Sequence, residues 1–180
     1  MDMSRIGIIT SSTRPARIGH VVGAWVADQR PDGTEVDLVD LGELDLPFFA
    51  DERKPREGAY DRPSTKAWSD RVKGFDAVVF VVAEYNGSFT APLKNAIDTL
   101  YAEWVDMPVA MVGYGFGGAG SALSHLTDVL NRIKMNIVTE SAPQLFFNKT
   151  VALDGQVLEG APDLTELYEA LLAAPAAAAA

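Results

Sequence analysis

The chain has 180 residues, 48% hydrophobic and 22% charged, which is the composition of an ordinary soluble domain. It has no cysteine, which excludes disulfides, thiolate metal sites and cysteine nucleophiles, and its two histidines are too few for a histidine-rich metal site. The net charge of −10 argues against a nucleic-acid partner. The apolar runs are too short for a membrane span and the N-terminus does not read as a secretory signal, so we expect a cytoplasmic protein without a metal.

Periodicity predicts strands and helices that alternate along the chain. Short apolar runs rich in β-branched residues indicate strands, and apolar residues three or four apart indicate amphipathic helices. The predicted strands are 5–9, 35–41, 77–83, 107–112 and 136–138, with further extended pieces at 144–147 and 151–158. The predicted helices are 19–29, 64–73, one that runs beyond Pro92 to Trp104, 121–133 and 164–172. Residues 42–63 have no period and are predicted to form a long loop.

This alternation predicts an α/β fold. The run 77–83 has no polar alternation, which is typical of a strand buried on both faces in the middle of a parallel sheet. We expect a three-layer sandwich with a five-stranded parallel sheet in the order 2-1-3-4-5. One domain would span residues 1–174, and residues 175–180 would be a low-complexity alanine tail. The order 2-1-3-4-5 brings together the loops that follow strands 1, 3 and 4.

The first of these loops, residues 11–19, indicates a phosphate site. It supplies hydroxyl groups, the guanidinium groups of Arg14 and Arg17, and the free N–H groups of a helix start, and no acidic residue lies between Met3 and Ala27. It lacks the Gly-Lys-Ser/Thr of a Walker loop. The alternative is a helix-capping turn rich in Ser and Thr, with both arginines in solvent.

The other two loops are less specific. Residues 84–90 are polar and contain the turn sequence Asn86-Gly87-Ser88. Residues 115–120, the glycine loop, match the dinucleotide fingerprint Gly-x-Gly-x-x-Gly, but that fingerprint belongs to the first βαβ unit of a longer fold. A flat glycine surface for a planar ring, or a simple helix-entry turn, explains the glycine loop better. Neither histidine is predicted to be a base, and no catalytic side chain is assigned.

Three stretches resemble the NADPH-dependent FMN reductase family, whose members have a flavodoxin-like fold. They are SSTRPAR at 11–17, AEYNGS at 83–88 and LKNAID at 93–98, within a resemblance that spans roughly residues 5–135. Family members commonly have Gly at the position of Ser11 and Pro at that of Ala83. Neither change removes a side-chain ligand.

The resemblance implies an FMN-dependent oxidoreductase. It implies transfer of hydride from NADPH or NADH to the flavin, and then reduction of a quinone, an azo compound, a metal ion or free flavin. The implied FMN-binding residues are Ser12, Arg14, Arg17, Ile18 and Gly19 at the phosphate, Glu84, Tyr85, Asn86 and Ser88 beside the isoalloxazine, and Gly117 and Gly118 near its other side. Family members are usually homodimers or homotetramers, which places Tyr101 and Trp104 at an expected interface.

Two other functions are weighed against this one. A flavodoxin-type electron carrier would bind FMN without steady-state reductase turnover. A phosphate-ester hydrolase would use the Ser/Arg loop, but the sequence offers neither nucleophile partners nor metal ligands for it.

Overall fold

The computed structural model describes residues 4–175, which are organised by a seven-stranded sheet. Its strands are β1 (Arg5–Thr10), β2 (Glu35–Asp40), β3 (Ala77–Tyr85), β4 (Ser88–Phe89), β5 (Pro108–Gly115), β6 (Asn136–Ile137) and β7 (Gln144–Phe146). The helices are α1 (Gly19–Asp28), α2 (Leu41–Leu44), α3 (Pro63–Lys73), α4 (Ala91–Asp98), α5 (Gly120–Arg132) and α6 (Thr165–Ala173). Single 3-10 turns lie at Pro55–Glu57 and Ala102–Trp104. Most of the predicted alanine tail, residues 176–180, lies outside the described residues.

The main strands run in the order β2-β1-β3-β5-β6, and all of these pairs are parallel. The short β4 only forms a hairpin with the end of β3, so the predicted order 2-1-3-4-5 is confirmed. Helices α3, α4 and α5 cover one face, with core side chains that include Trp68, Leu93 and Leu126. Helices α1 and α6 cover the other, with Val22 and Tyr168. The three-layer sandwich is therefore confirmed too.

The fifth position of the sheet is divided between two short strands. β6 pairs with the start of β5, and β7 pairs in parallel with its last residues, from Gly113 to Gly115. The sequence predicts one strand at 136–138 and leaves 144–147 without a place in the sheet. The division has a local cause, because Pro143 has no N–H to donate to a ladder. Its carbonyl still accepts from the N–H of Gly113 at 2.9 Å.

The helix after β3 is shorter than predicted. It ends at Asp98, where the hydroxyl of Thr99 donates to the carbonyl of Asn95 at 2.6 Å, and a 3-10 turn follows. Trp104 is fully buried, and its ring lies 6.1 Å from those of Trp68 and Phe80. The expectation that Trp104 lies at an interface is therefore wrong, because its indole belongs to the core.

The long loop of residues 45–62 is held to the body of the protein by buried polar side chains. Asn95 on α4 accepts from the N–H of Phe49 at 2.9 Å and donates to the carbonyl of Pro47 at 3.0 Å. The hydroxyl of Tyr60 donates to Glu103 at 2.7 Å. Burial, reinforced by this carboxylate, raises the pKa of Tyr60 well above that of an ordinary tyrosine. Sequence periodicity cannot detect such anchors, since each joins residues distant in the chain.

Asp37 on β2 forms a pH-dependent salt bridge between the sheet and α3. Its carboxylate accepts from Arg71 at 2.6 and 3.1 Å and from Arg5 at 3.1 Å. The hydrogen bonds and charge of Arg71, helped by Arg5, hold the pKa of Asp37 below its usual value. A carboxyl whose pKa is lower in the folded state than in the unfolded state stabilises the fold at pH values above the unfolded-state pKa. That stabilisation is lost as the pH falls through the folded-state pKa.

We therefore expect Asp37→Asn to lower the free energy of unfolding by about 1 kcal/mol at neutral pH. The difference between variant and wild type should begin to shrink as pH falls below about 4, the unfolded-state pKa, and should be lost as pH falls through the lower folded-state pKa, where the wild-type carboxyl also becomes neutral. Urea unfolding at a series of pH values measures this. Asp128→Asn, an exposed change on α5, is the control and should be nearly neutral throughout. If the difference in the free energy of unfolding between Asp37→Asn and the wild type stayed constant down to about pH 2, the stabilisation by Asp37 would not be electrostatic.

Candidate functional site

A cleft of about 450 Å³ opens where β1, β3 and β5 end. We call it the strand-end cleft. Its volume lies in the range of small-molecule sites, and it sits where the strand order reverses between β1 and β3, the usual ligand position in open α/β sheets. Its walls come from the first loop, the end of β3, the glycine loop and the segment after β7. The lining residues are Ser12, Arg14, Ala16, Arg17, Ile18, Ala83, Glu84, Tyr85, Tyr114, Gly115, Phe116, Gly117, Phe147 and Leu153.

The strand-end cleft brings together most of the predicted site residues, which were chosen from three separate loops. Those that line it are Ser12, Arg14, Arg17, Ile18, Glu84, Tyr85 and Gly117. Gly19 follows directly as the first residue of α1. The carboxyl ends of parallel strands meet at one edge of a sheet, so this convergence follows from the confirmed strand order.

The other predicted residues lie beside the strand-end cleft but outside its lining. Asn86 has a φ of 52° and forms the turn of the β3–β4 hairpin. The Ser88 hydroxyl lies 3.1 Å from Nδ1 of His125 on α5. Gly118, with a φ of 63°, packs against Gln144 and Phe146, whose side chains leave no room for a Cβ. The side chain of Ser88 and the α-carbon of Gly118 therefore face other parts of the protein.

The two serines of the first loop have different roles. Ser11 joins the first loop to β3, because its hydroxyl accepts from the N–H of Ala83 at 2.9 Å and its carbonyl accepts from the hydroxyl of Thr90 at 2.6 Å. Ser12 points the other way and shares a hydrogen bond with the hydroxyl of Tyr85. Ser11 thus fixes the loop, and Ser12 presents its hydroxyl at the cleft.

The two arginines of the first loop also differ. Nε of Arg17 donates to Asp40 at 2.8 Å, and its Nη2 lies 3.8 Å from Glu43. Arg14 is exposed at the cleft and has no acidic partner within 4 Å among residues 4–175. Arg14 therefore contributes an uncompensated positive charge, whereas the charge of Arg17 is largely balanced by carboxylates.

Two helices begin near the strand-end cleft, and only one of them already holds an anion. At α5 the carboxylate of Glu84 accepts from the N–H groups of Ser121 and Ala122 at 3.1 and 3.2 Å. At α1 the N-cap is Ile18, with no side-chain cap and no acid in the first turn among the residues that the structure describes. The positive end of α1 is therefore open to an anion, while Glu84 occupies that of α5.

This arrangement fits a phosphorylated, ring-bearing cofactor. Its phosphate end needs free N–H donors, a hydroxyl and a cation, and the start of α1, Ser12 and Arg14 supply them. Its ring needs an apolar surface, which the other end of the cleft supplies. The acid-free stretch noted in the sequence coincides with this site.

Sequence reasoning missed the residues that form the apolar part of the cleft. Tyr114 is buried near the end of β5, and Phe116 in the glycine loop is 76% exposed. The ring of Phe116 lies 5.0 Å from that of Phe147, in an edge-to-face arrangement, and Leu153 adds an exposed aliphatic side chain. Phe116 had a detectable signal, since it is a large apolar residue among glycines. Phe147 and Leu153 had none, because they reach the cleft only through the pairing of β7 with β5.

Across residues 4–175, no helix combines the length and apolarity that a membrane crossing requires. The same residues contain no group of three or more His, Asp or Glu side chains placed to hold a metal ion.

Comparison with known proteins agrees with the geometry. The family model described as NADPH-dependent FMN reductase matches residues 4–151. An NAD(P)H-dependent FMN reductase of Schizosaccharomyces pombe is 34% identical over 157 residues, which cover 85% of this chain and 78% of the relative. An NADPH azoreductase of a Bacillus species is 28% identical over 89% of this chain and 85% of the relative.

The fold has close counterparts among solved structures. The flavoenzyme FerB, an NAD(P)H:acceptor oxidoreductase from Paracoccus denitrificans, superimposes with a TM-score of 0.62 at 24% identity, over 86% of each chain. The flavodoxin-like fold and the resemblance carried by the sequence motifs are both confirmed. The chain belongs to the NADPH-dependent FMN reductase family and is an oxidoreductase that uses FMN and NAD(P)H.

Proposed function

We propose that FMN is held in the strand-end cleft, with its phosphate at the first loop and its isoalloxazine toward Tyr85 and the glycine loop. The observation that carries this proposal is the open, acid-free start of α1 beside Arg14, whose charge has no acidic partner within residues 4–175. In this proposal the phosphate is bound by Ser12, Arg14, Arg17, Ile18 and Gly19. The ring is bordered by Glu84, Tyr85, Asn86, Ser88, Gly117 and Gly118, with main-chain groups used where the side chains are turned away.

When bound, FMN supplies the hydride chemistry that links NAD(P)H to an electron acceptor. The chain then has to bind and orient the reactants rather than exchange protons with them. This agrees with the position of Glu84, whose carboxylate is already hydrogen-bonded to α5. No side chain of the cleft is assigned as a catalytic acid or base.

We further propose that the acceptor is a small planar conjugated molecule, such as a quinone or an azo compound. The apolar surface of Phe116, Phe147 and Leu153 supports this choice, because aromatic edges and faces pack well against planar rings. The names of relatives point the same way, since a Pseudomonas putida relative is called a quinone reductase and the Bacillus relative an azoreductase. Metal ions and free flavin are the less favoured acceptors.

Removal of the Phe116 ring tests the acceptor class. We expect Phe116→Ala to lower kcat/KM for a quinone by roughly 3- to 10-fold, the effect of one aromatic contact. Activity with ferricyanide, a hydrophilic ion, should change little. Phe48→Ala removes a ring that is equally exposed but lies outside the cleft lining, and it serves as the control. An equal loss with both acceptors would contradict selection by the apolar surface.

The visible spectrum of the purified protein tests the proposed function as a whole. We expect bound FMN, bleaching of its absorbance when NADPH or NADH is added without oxygen, and steady-state NADPH oxidation with a quinone. A flavodoxin-type carrier would bind FMN but show almost no steady-state oxidation. A colourless protein that takes up no FMN on titration would refute the proposed site.

We also propose a homodimer or homotetramer that works in the cytoplasm. The half-buried Tyr101, which follows α4, supports an interface on that side of the molecule. Light scattering after size exclusion measures the oligomeric state, and a monomer at micromolar concentration would refute it. Cell fractionation tests the location.

A further inference from the structure

Three residues that carry hydroxyl groups, each from a different strand end, line the strand-end cleft. Ser12 lies just beyond β1, Tyr85 ends β3, and Tyr114 lies near the end of β5. Ser12 is 2% exposed and Tyr114 is 4% exposed, so both are buried, and the hydroxyls of Ser12 and Tyr85 share a hydrogen bond. Tyr114 is absent from the FMN-binding residues assigned above.

The hydroxyl of Tyr114 also lies against the start of α1. A Cβ at Gly19 would come within 3.1 Å of this hydroxyl oxygen, so the missing side chain at Gly19 leaves the space that the phenol uses. The hydroxyl is therefore placed between the two parts of the first loop that face an anion, Ser12 at one end and the N–H groups of α1 at the other.

The protonation of Tyr114 suits it to donate a hydrogen bond. Burial raises the pKa of Tyr114 well above that of an ordinary tyrosine, Tyr85 adds to the rise, and the hydroxyl of Ser12 acts in the opposite direction. The phenol consequently stays neutral and keeps its proton. The hydroxyls of Ser12 and Tyr85 share a hydrogen bond in which either can donate, and when Tyr85 donates, the proton of Ser12 is free for another acceptor.

We propose that Tyr114 is a positioning residue for the phosphate of FMN. It holds Ser12 and the start of α1 in one arrangement, so that the proton of Ser12 and the N–H groups of α1 face the same anion. This inference rests on the proposed binding of FMN in the strand-end cleft.

The experiment compares two ligands that differ by one phosphate. We expect Tyr114→Phe to weaken the binding of FMN about tenfold, the upper range for one hydrogen bond. The affinity for riboflavin, which lacks the phosphate, should be unchanged. Tyr168→Phe is the matched control, because Tyr168 is another buried tyrosine, and its hydroxyl donates to the carbonyl of Val26 outside the cleft lining. It should leave the ratio of the two affinities as in the wild type.

A double-variant cycle with Ser12→Ala tests whether Tyr114 acts through Ser12. In the Ser12→Ala background, Tyr114→Phe should have little further effect on FMN binding, since the group that it positions is gone. Full additivity would overturn the inference, as would equal weakening of FMN and riboflavin, which would indicate a general structural role. Unchanged FMN affinity would overturn it too. A wild type that binds FMN no better than riboflavin would instead refute the phosphate site itself.

Discussion

Arg14→Ala is expected to weaken FMN binding by about 1.5–3 kcal/mol, or roughly 10- to 150-fold, the scale of one charge-assisted contact. Arg14 is the stronger candidate of the two arginines because no acidic group in the described part of the chain pairs with it, whereas Arg17 is already paired with Asp40. The protein carries a net charge of −10, which repels the anionic phosphate of FMN. The positive charge of Arg14 offsets this repulsion at the site, and Arg14→Ala removes that offset. Fluorescence titration of the apoprotein with FMN measures the effect.

Two further measurements separate this effect from general damage. The free energy of unfolding of the apoprotein should be unchanged in Arg14→Ala, because the side chain is exposed. Arg132→Ala, at the far end of α5, removes an equal charge and should leave FMN affinity nearly unchanged. The salt dependence of FMN binding should also be weaker in Arg14→Ala than in the wild type. Unchanged affinity in Arg14→Ala would show that the phosphate is held elsewhere.

Gly113→Ala is expected to destabilise the protein by about 1–3 kcal/mol, the usual effect of overpacking. A Cβ at this position in β5 would lie 2.3 Å from the carbonyl oxygen of Gly118 and 2.8 Å from a methyl group of Leu123. The nearest atom belongs to the backbone of the glycine loop, so it cannot rotate away as a side chain would. Relief of the clash has to move the glycine loop, and flavin binding should weaken as well.

Urea unfolding and FMN titration of the same variant test both consequences. Gly120→Ala is the control, since a Cβ there meets nothing within 4 Å and alanine is favoured at a helical position. It should be neutral or slightly stabilising. A Gly113→Ala protein as stable as the wild type would mean that the glycine loop moves at little cost.

The positions of the strands and loops could be predicted from the sequence because they depend on short-range patterns. A continuous apolar run such as 77–83 predicts a central strand, and parallel strands place the loops that follow them at one edge. The cleft therefore forms where the sequence predicts it, and the motifs identified the family.

The directions of individual side chains could not be predicted, because they depend on partners brought close only by folding. The sequence does not indicate that Asp40 pairs with Arg17, or that the carboxylate of Glu84 turns to the start of α5. It also gives no sign that the last strand is divided, or that the pairing of β7 with β5 brings Phe147 to the cleft. Each of these depends on contacts between distant segments.

The divided last strand limits how copies of this chain can associate. An unbroken outer strand invites a neighbour to extend the sheet, but here that border consists of two short pieces separated by the excursion 138–143. The opposite border, β2, carries the charged side chains of Glu35, Asp37 and Asp40, the last two paired with arginines, so a second copy that docked there would have to bury charged groups. We therefore expect any assembly of this chain to form through the helical layers, with the hydrogen bonds of the sheet confined to one copy.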